Sequence, residues 1–129
     1  MNKKNIHLPK VCAGFPSPAE DFIDLSISLD KTLIQNPSST FMAYVEGDSM
    51  INKGIYNGDI VIIDRSLNAQ YGDIIVATLD GEFIIKEYSN CNNKPILIPH
   101  NPKYKTIYIN ENMDFAIWGI VIHSIRSYR

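Results

Sequence analysis

From Phe41 onward the apolar residues come in short bursts, each closed by a cluster of turn residues. The bursts are rich in Ile, Val, Tyr and Phe, the side chains that suit a pleated and partly buried surface. Strands are therefore expected at Phe41–Glu46, Asp59–Asp64, Asp73–Leu79, Glu82–Tyr88, Pro95–Pro99, Thr106–Ile109 and Phe115–Arg126. Asn57-Gly58 and Asp80-Gly81 are tight-turn dipeptides. The second lies between two strong strands and predicts a hairpin. Short strands at this spacing suggest a small, strongly bent, mainly β domain or partial barrel. No internal repeat and no low-complexity segment interrupts the pattern.

The first 16 residues carry no such periodicity. They hold Lys3, Lys4, His7, Lys10 and two prolines, and no acid occurs before Glu20. This stretch reads as an extended or mobile arm. Ser17-Pro18-Ala19-Glu20 then matches a capping box, with Ser17 as N-cap and Pro18 as the first helical residue. One short helix is expected over Pro18–Leu25, with Phe22 and Leu25 on its inner side. A second helical turn is expected around Lys31–Gln35, ended by Asn36-Pro37.

A chain of 129 residues suits one compact domain. Its formal charge of -2 provides no basic excess, so binding to nucleic acid through phosphate neutralisation is not indicated. No apolar run approaches the ~20 residues of a membrane span. The longest, FAIWGIVIH, is much too short. The basic first residues lead into no apolar run, so no secretory signal is expected. Cys12 and Cys91 have no CxxC spacing, which argues against a metal site and a disulfide framework. Two free thiols in a cytoplasmic protein are expected.

The candidate chemistry lies at EGDSM, which directly follows the strand FMAYVE. Gly, Asp and Ser are ordinary turn residues, but a solvent-facing turn has little use for Met50. A nucleophile held on a turn, with Met50 packed beneath it or walling a cleft, uses all of them. Asp48 would end the strand and hold the turn. A serine nucleophile needs a base. His7, His100 and His123 bring no obvious Asp partner. Lysine is the other option, provided that burial keeps it neutral. Lys86 stands out in Glu82-Phe83-Ile84-Ile85-Lys86-Glu87-Tyr88. Alternation puts Ile84, Lys86 and Tyr88 on one face and Phe83, Ile85 and Glu87 on the other. A lysine there either guards an edge strand, snorkels its amine to water, or serves as a desolvated base.

Ser49 and Lys86, 37 positions apart, together with the upstream pair Ala13-Gly14, resemble the Ser-Lys dyad and cleavage site of the LexA/UmuD self-cleaving peptidases. The likeness runs from about Cys12 to the C-terminus. It is carried by AGFPSPAEDFIDLSISLDKTLIQNPSSTF, GDSM, GDIVIIDRS, YGDIIVATLDGEFIIKEY, PHNPKY and WGIVIHSIR. The resemblance implies a LexA/signal-peptidase-like catalytic core. Ser49 and Lys86 would be its catalytic pair, and the backbone N–H groups of Asp48 and Ser49 its oxyanion donors. Residues 1–13 would form a cleavable arm, and residues 14–129 the peptidase and polymerase-interaction domain. It also implies a homodimer, activation by a RecA–single-stranded DNA filament, and association of the processed form with a UmuC-like Y-family polymerase. No cofactor, direct nucleic-acid contact or membrane is implied. Only 13 residues precede Gly14, too few for the helix-turn-helix domain of a LexA-like repressor. Three alternatives remain open at this point. One is a membrane signal peptidase with a similar Ser-Lys core. The second is a non-catalytic β binding module. The third is a repressor remnant.

Overall fold

The computed structural model describes Val11, Ala13, Gly14 and residues 28–129. The helix expected over Pro18–Leu25, and most of the arm, lie outside the described residues. The chain divides into two compact units, Met1–Pro37 and Ser38–Arg129. In the first, α1 spans Leu29–Leu33. It begins two residues before the expected turn because Ser28 caps it. The Ser28 hydroxyl accepts from the Lys31 N–H at 3.4 Å, and Asp30 sits in the first turn, where a negative charge is favoured. Ile34 is already extended, so the helix stops before Gln35.

The second unit is one seven-stranded antiparallel sheet. Its strands are β1 (Thr40–Tyr44), β2 (Ile60–Asp64), β3 (Ile74–Leu79), β4 (Glu82–Cys91), β5 (Lys94–Ile98), β6 (Ile107–Tyr108) and β7 (Phe115–Ile125). Their spatial order is β1-β2-β7-β3-β4-β5-β6. All seven expected strands are present, and the mainly β class is borne out.

The differences lie at strand ends, where side chains compete for the backbone. β2 starts after Asp59 because that carboxylate accepts the Tyr56 N–H at 2.8 Å and pairs with Arg126 at 3.0 Å. Arg126, just past β7, holds the Asp59 carboxyl below the usual carboxylate range. β4 continues past Tyr88 to Cys91, turning into β5 through Asn92 and Asn93. Both asparagines take positive φ (54° and 62°), the pattern of a type I′ hairpin, which asparagine tolerates well. The sequence pattern hides this turn because no glycine marks it.

The long strand β7 pairs with both β2 and β3, and its register slips once against each. Each slip leaves an extra residue on β7, a bulge that bends the strand. Successive residues of β3 feed two separate cores. Val76 joins Val45, Met50, Ile55, Val61 and Ile63, whereas Ile75 and Ala77 join Leu97 and Ile120. Gly119 is where β7 crosses most tightly. A Cβ there would lie 2.5 Å from Ile63 Cγ2 and 3.2 Å from Arg65 Cγ. Ile63 is fully buried and has nowhere to retreat. Gly119→Ala is therefore expected to destabilise the domain by about 1–3 kcal/mol, the usual cost of overpacking. Urea denaturation checks this, and an unchanged midpoint would show that β7 shifts freely.

Candidate active site

Ser49 sits on the loop that leaves β1. Three backbone contacts pin the chain before it. Val45 N–H donates to Asp59 O, Gly58 N–H donates to Val45 O, and Gly47 N–H donates to Asn57 Oδ1, each at 2.8 Å. Gly47 has φ of +94°, a conformation that side chains rarely adopt. After Ser49, Met50 drops into the core with 2% of its surface exposed. This explains a methionine in an otherwise polar turn. Burying it anchors the Ser49 backbone from below while Ser49 stays at the surface of the cleft.

Lys86 comes from β4, which lies between β3 and β5. It is therefore on an interior strand, and the edge-guarding explanation of this lysine does not apply. The expected alternation holds for its neighbours. Ile84 and Tyr88 pack against the second core, and Ile85 against the first. The Lys86 amine instead reaches across to Ser49. Nζ lies 2.9 Å from Ser49 Oγ and 3.1 Å from the carbonyl oxygen of Ile85. Among the described residues it forms no ion pair. Burial without a compensating negative charge pushes its pKa below the ordinary lysine value of 10.5.

Two of the histidines are placed, and neither imidazole bonds to the Ser49 hydroxyl. The His100 ring meets Glu87 at 3.1 Å, with Lys53 on the same carboxylate at 3.8 Å. His123 lies on β7 opposite Ile62. His7 is outside the described residues. Ala13 and Gly14 are exposed in a bend of the first unit. No cluster of three or more His, Cys, Asp or Glu suited to a metal occurs among the described residues. Nor is any helix among them long and apolar enough to cross a membrane.

The loop 99–104, not singled out residue by residue from the sequence, borders Asp48 and Ser49. His100 N–H donates to Ser49 O at 2.8 Å, and His100 O accepts from Asn52 N–H at 2.9 Å. Asn101 Nδ2 donates to Asp48 O at 2.9 Å. The Asp48 carboxylate accepts from Tyr104 Oη–H and lies 3.4 Å from Lys103 Nζ. The tyrosine bond, chiefly, holds the Asp48 carboxyl below its usual range. The signal for this loop was the polar run His-Asn-Pro-Lys-Tyr after a short apolar strand, since Asn commonly bonds backbone two residues on. Asn101 Oδ1 does so to Lys103 N–H at 3.1 Å.

A cleft of about 690 Å³ opens at Ser49 and Lys86, walled by Tyr44 on β1, Phe83 and Ile85 on β4, Tyr104 and Trp118. Its surface is mostly apolar, and burial against it disfavours the charged form of the amine. Edge strand β1 borders it with Met42 and Tyr44 exposed. The arrangement places a hydroxyl and a partly buried amine together at one apolar groove, on backbone held by the loop 99–104. That set is suited to acyl transfer.

Known proteins resemble this chain over most of its length. A family model described as Peptidase S24-like matches residues 6–122. Protein MucA of Salmonella typhimurium is 37% identical over 120 residues, covering 92% of this chain and 82% of the relative. Protein ImpA of Salmonella typhimurium is 39% identical over 119 residues, covering 91% and 79%. The LexA repressor of Stenotrophomonas maltophilia is 34% identical over 122 residues, covering 95% of this chain but 57% of the repressor. The resemblance carried by the motifs is thus borne out.

Proposed function

Because this chain belongs to the Peptidase S24-like family, we propose that it is a Ser-Lys peptidase whose substrate is its own chain, cut between Ala13 and Gly14. The observation that carries this reading is the 2.9 Å approach of the desolvated Lys86 amine to the Ser49 hydroxyl. Neutral Lys86 Nζ takes the hydroxyl proton as Ser49 Oγ attacks the Ala13 carbonyl carbon. The N–H groups of Ser49 and Asp48 receive the charge that develops on the carbonyl oxygen. The Ala13–Gly14 bond breaks, and Lys86 returns the proton to the departing Gly14 nitrogen. Lys86 then takes a proton from water, whose oxygen attacks the acyl carbon. Lys86 passes that proton to the departing Ser49 oxygen, and Ala13 leaves as a carboxylic acid that gives its own proton to solvent. Tyr104 Oη–H donates to the Asp48 carboxylate and the Lys103 ammonium lies 3.4 Å from it, which offsets its repulsion of the oxyanion.

The family resemblance extends the proposal to partners. The protein works as a cytoplasmic homodimer, and a RecA–single-stranded DNA filament stimulates cleavage. The processed form is an accessory subunit of a UmuC-like Y-family polymerase in error-prone translesion synthesis. Residues 1–13 hold three lysines and no acid, so their loss takes the formal charge from -2 to -5. Such a change alters the electrostatic complementarity of a partner surface.

Incubation of the purified protein at mildly alkaline pH tests the reading. The intact mass is expected to fall by residues 1–13, with a new N-terminus of Gly-Phe-Pro-Ser-Pro. A product beginning elsewhere would move the scissile bond. An unchanged mass would favour a non-catalytic binding module.

A further inference from the structure

We infer that Asn101 is a positioning residue for the oxyanion site: by gripping the Asp48 carbonyl, it fixes the direction of the Ser49 N–H. The inference rests on the Ser-Lys reading above. A trans peptide is one rigid plane with its C=O and N–H pointing opposite ways, and no cis peptide occurs among the described residues. The Asp48 carbonyl and the Ser49 N–H are the two ends of one such plane. Holding the carbonyl at one end therefore aims the donor at the other.

Asn101 is well built for that task. It is buried, with 6% of its surface exposed. Its Nδ2 donates to Asp48 O at 2.9 Å, and its Oδ1 accepts from Lys103 N–H at 3.1 Å. A side-chain amide bonded at both ends cannot rotate without losing a buried hydrogen bond. The next peptide plane is held from the same loop, through His100 N–H and Ser49 O at 2.8 Å. The Ser49 N–H itself donates to nothing among the described residues, and Ser49 lines the cleft. A donor already aimed needs no reorganisation when the oxyanion forms, which is the source of its catalytic value.

The test compares first-order self-cleavage of Asn101→Asp and Asn101→Ala with the parent across alkaline pH. Asp keeps the acceptor for Lys103 N–H and loses the donor to Asp48 O. Ala loses both and adds no charge. Both are expected to lower the plateau rate by about 10- to 100-fold, somewhat less than deleting an oxyanion donor outright. In Asn101→Ala the pH of inflection should stay with the parent, because no charge is added near Lys86. A second measurement separates aim from general disorder. In a Ser49→Cys background, iodoacetamide alkylates the thiol without creating an oxyanion. Asn101→Ala should leave that rate within about twofold, read by peptide mass at position 49. Thermal melting accompanies each variant. Asn101→Asp replaces Asn101→Ala if the latter loses its fold.

Parental cleavage by either folded variant would overturn the inference. So would a shifted inflection in Asn101→Ala, or alkylation slowed as much as cleavage. Cleavage by Ser49→Ala would instead overturn the Ser-Lys reading itself, a separately visible failure.

Discussion

Ser49→Ala and Lys86→Met are each expected to reduce self-cleavage by at least about a thousand-fold, which for a slow reaction means below detection. In the proposed mechanism the two groups act as one unit, since the hydroxyl needs the amine to lose its proton and the amine has no other task in the attack. Removing either removes most of what both supply, so the double variant should be no slower than the singles. Their effects on stability should differ. Ser49 gives up one partly exposed hydroxyl, and its loss should be close to neutral. Lys86 is a cation held in an apolar groove with no ion pair among the described residues. Burial without a partner disfavours the charged form, so Lys86→Met should raise the unfolding midpoint at neutral pH while abolishing cleavage. Opposite signs in the two assays would identify the lysine as retained for chemistry at a cost in stability. Mass analysis of aged protein and urea denaturation provide the readouts. Parental cleavage by either variant would remove the dyad from consideration.

Much of this architecture is legible in the sequence because β-structure writes its own punctuation. Asp80-Gly81 announces a hairpin, and the structure puts positive φ at both residues (49° and 85°). Bursts of Ile and Val mark β2 and β3, whose buried residues leave little room for another reading. The pairing of Ser49 with Lys86 was legible only as a motif. Nothing local in GEFIIKEY says that this amine turns toward a serine 37 positions earlier. That depends on β4 lying between β3 and β5, a long-range fact. The loop 99–104 was harder still. Its residues act through backbone carbonyls, and a sequence shows side-chain types rather than the direction of a peptide plane. The Asn92-Asn93 turn was missed for a related reason. Asparagine adopts the left-handed conformation without advertising it as glycine does.

The second large effect is on the pH dependence of cleavage, where the reason for a lysine can be tested apart from its presence. Only neutral Lys86 can accept the Ser49 proton. An ordinary lysine titrates at 10.5, and burial moves this one lower. The rate should therefore climb about tenfold per pH unit below the native pKa of Lys86. It should level off before pH 10.5. Tyr104, which also borders the cleft, does not blur the inflection. The Asp48 carboxylate beside it pushes its deprotonation above the ordinary tyrosine value of 10.0. Asp48, held low by Tyr104, is ionised throughout. Stability should follow the same proton with a defined sign. Between the lowered native value and 10.5 the unfolded chain binds a proton at Lys86 that the folded chain does not. Unfolding is then opposed more strongly as pH rises, so the Lys86 contribution to stability increases across that window. Lys86→Met should lose both the rising rate and this increment. First-order cleavage rates from about pH 6 to 11, with circular dichroism to confirm the fold, and urea midpoints for parent and variant make the comparison. A parental rate that is flat across the range, or that still climbs above pH 10.5, would show that no desolvated lysine serves as the base.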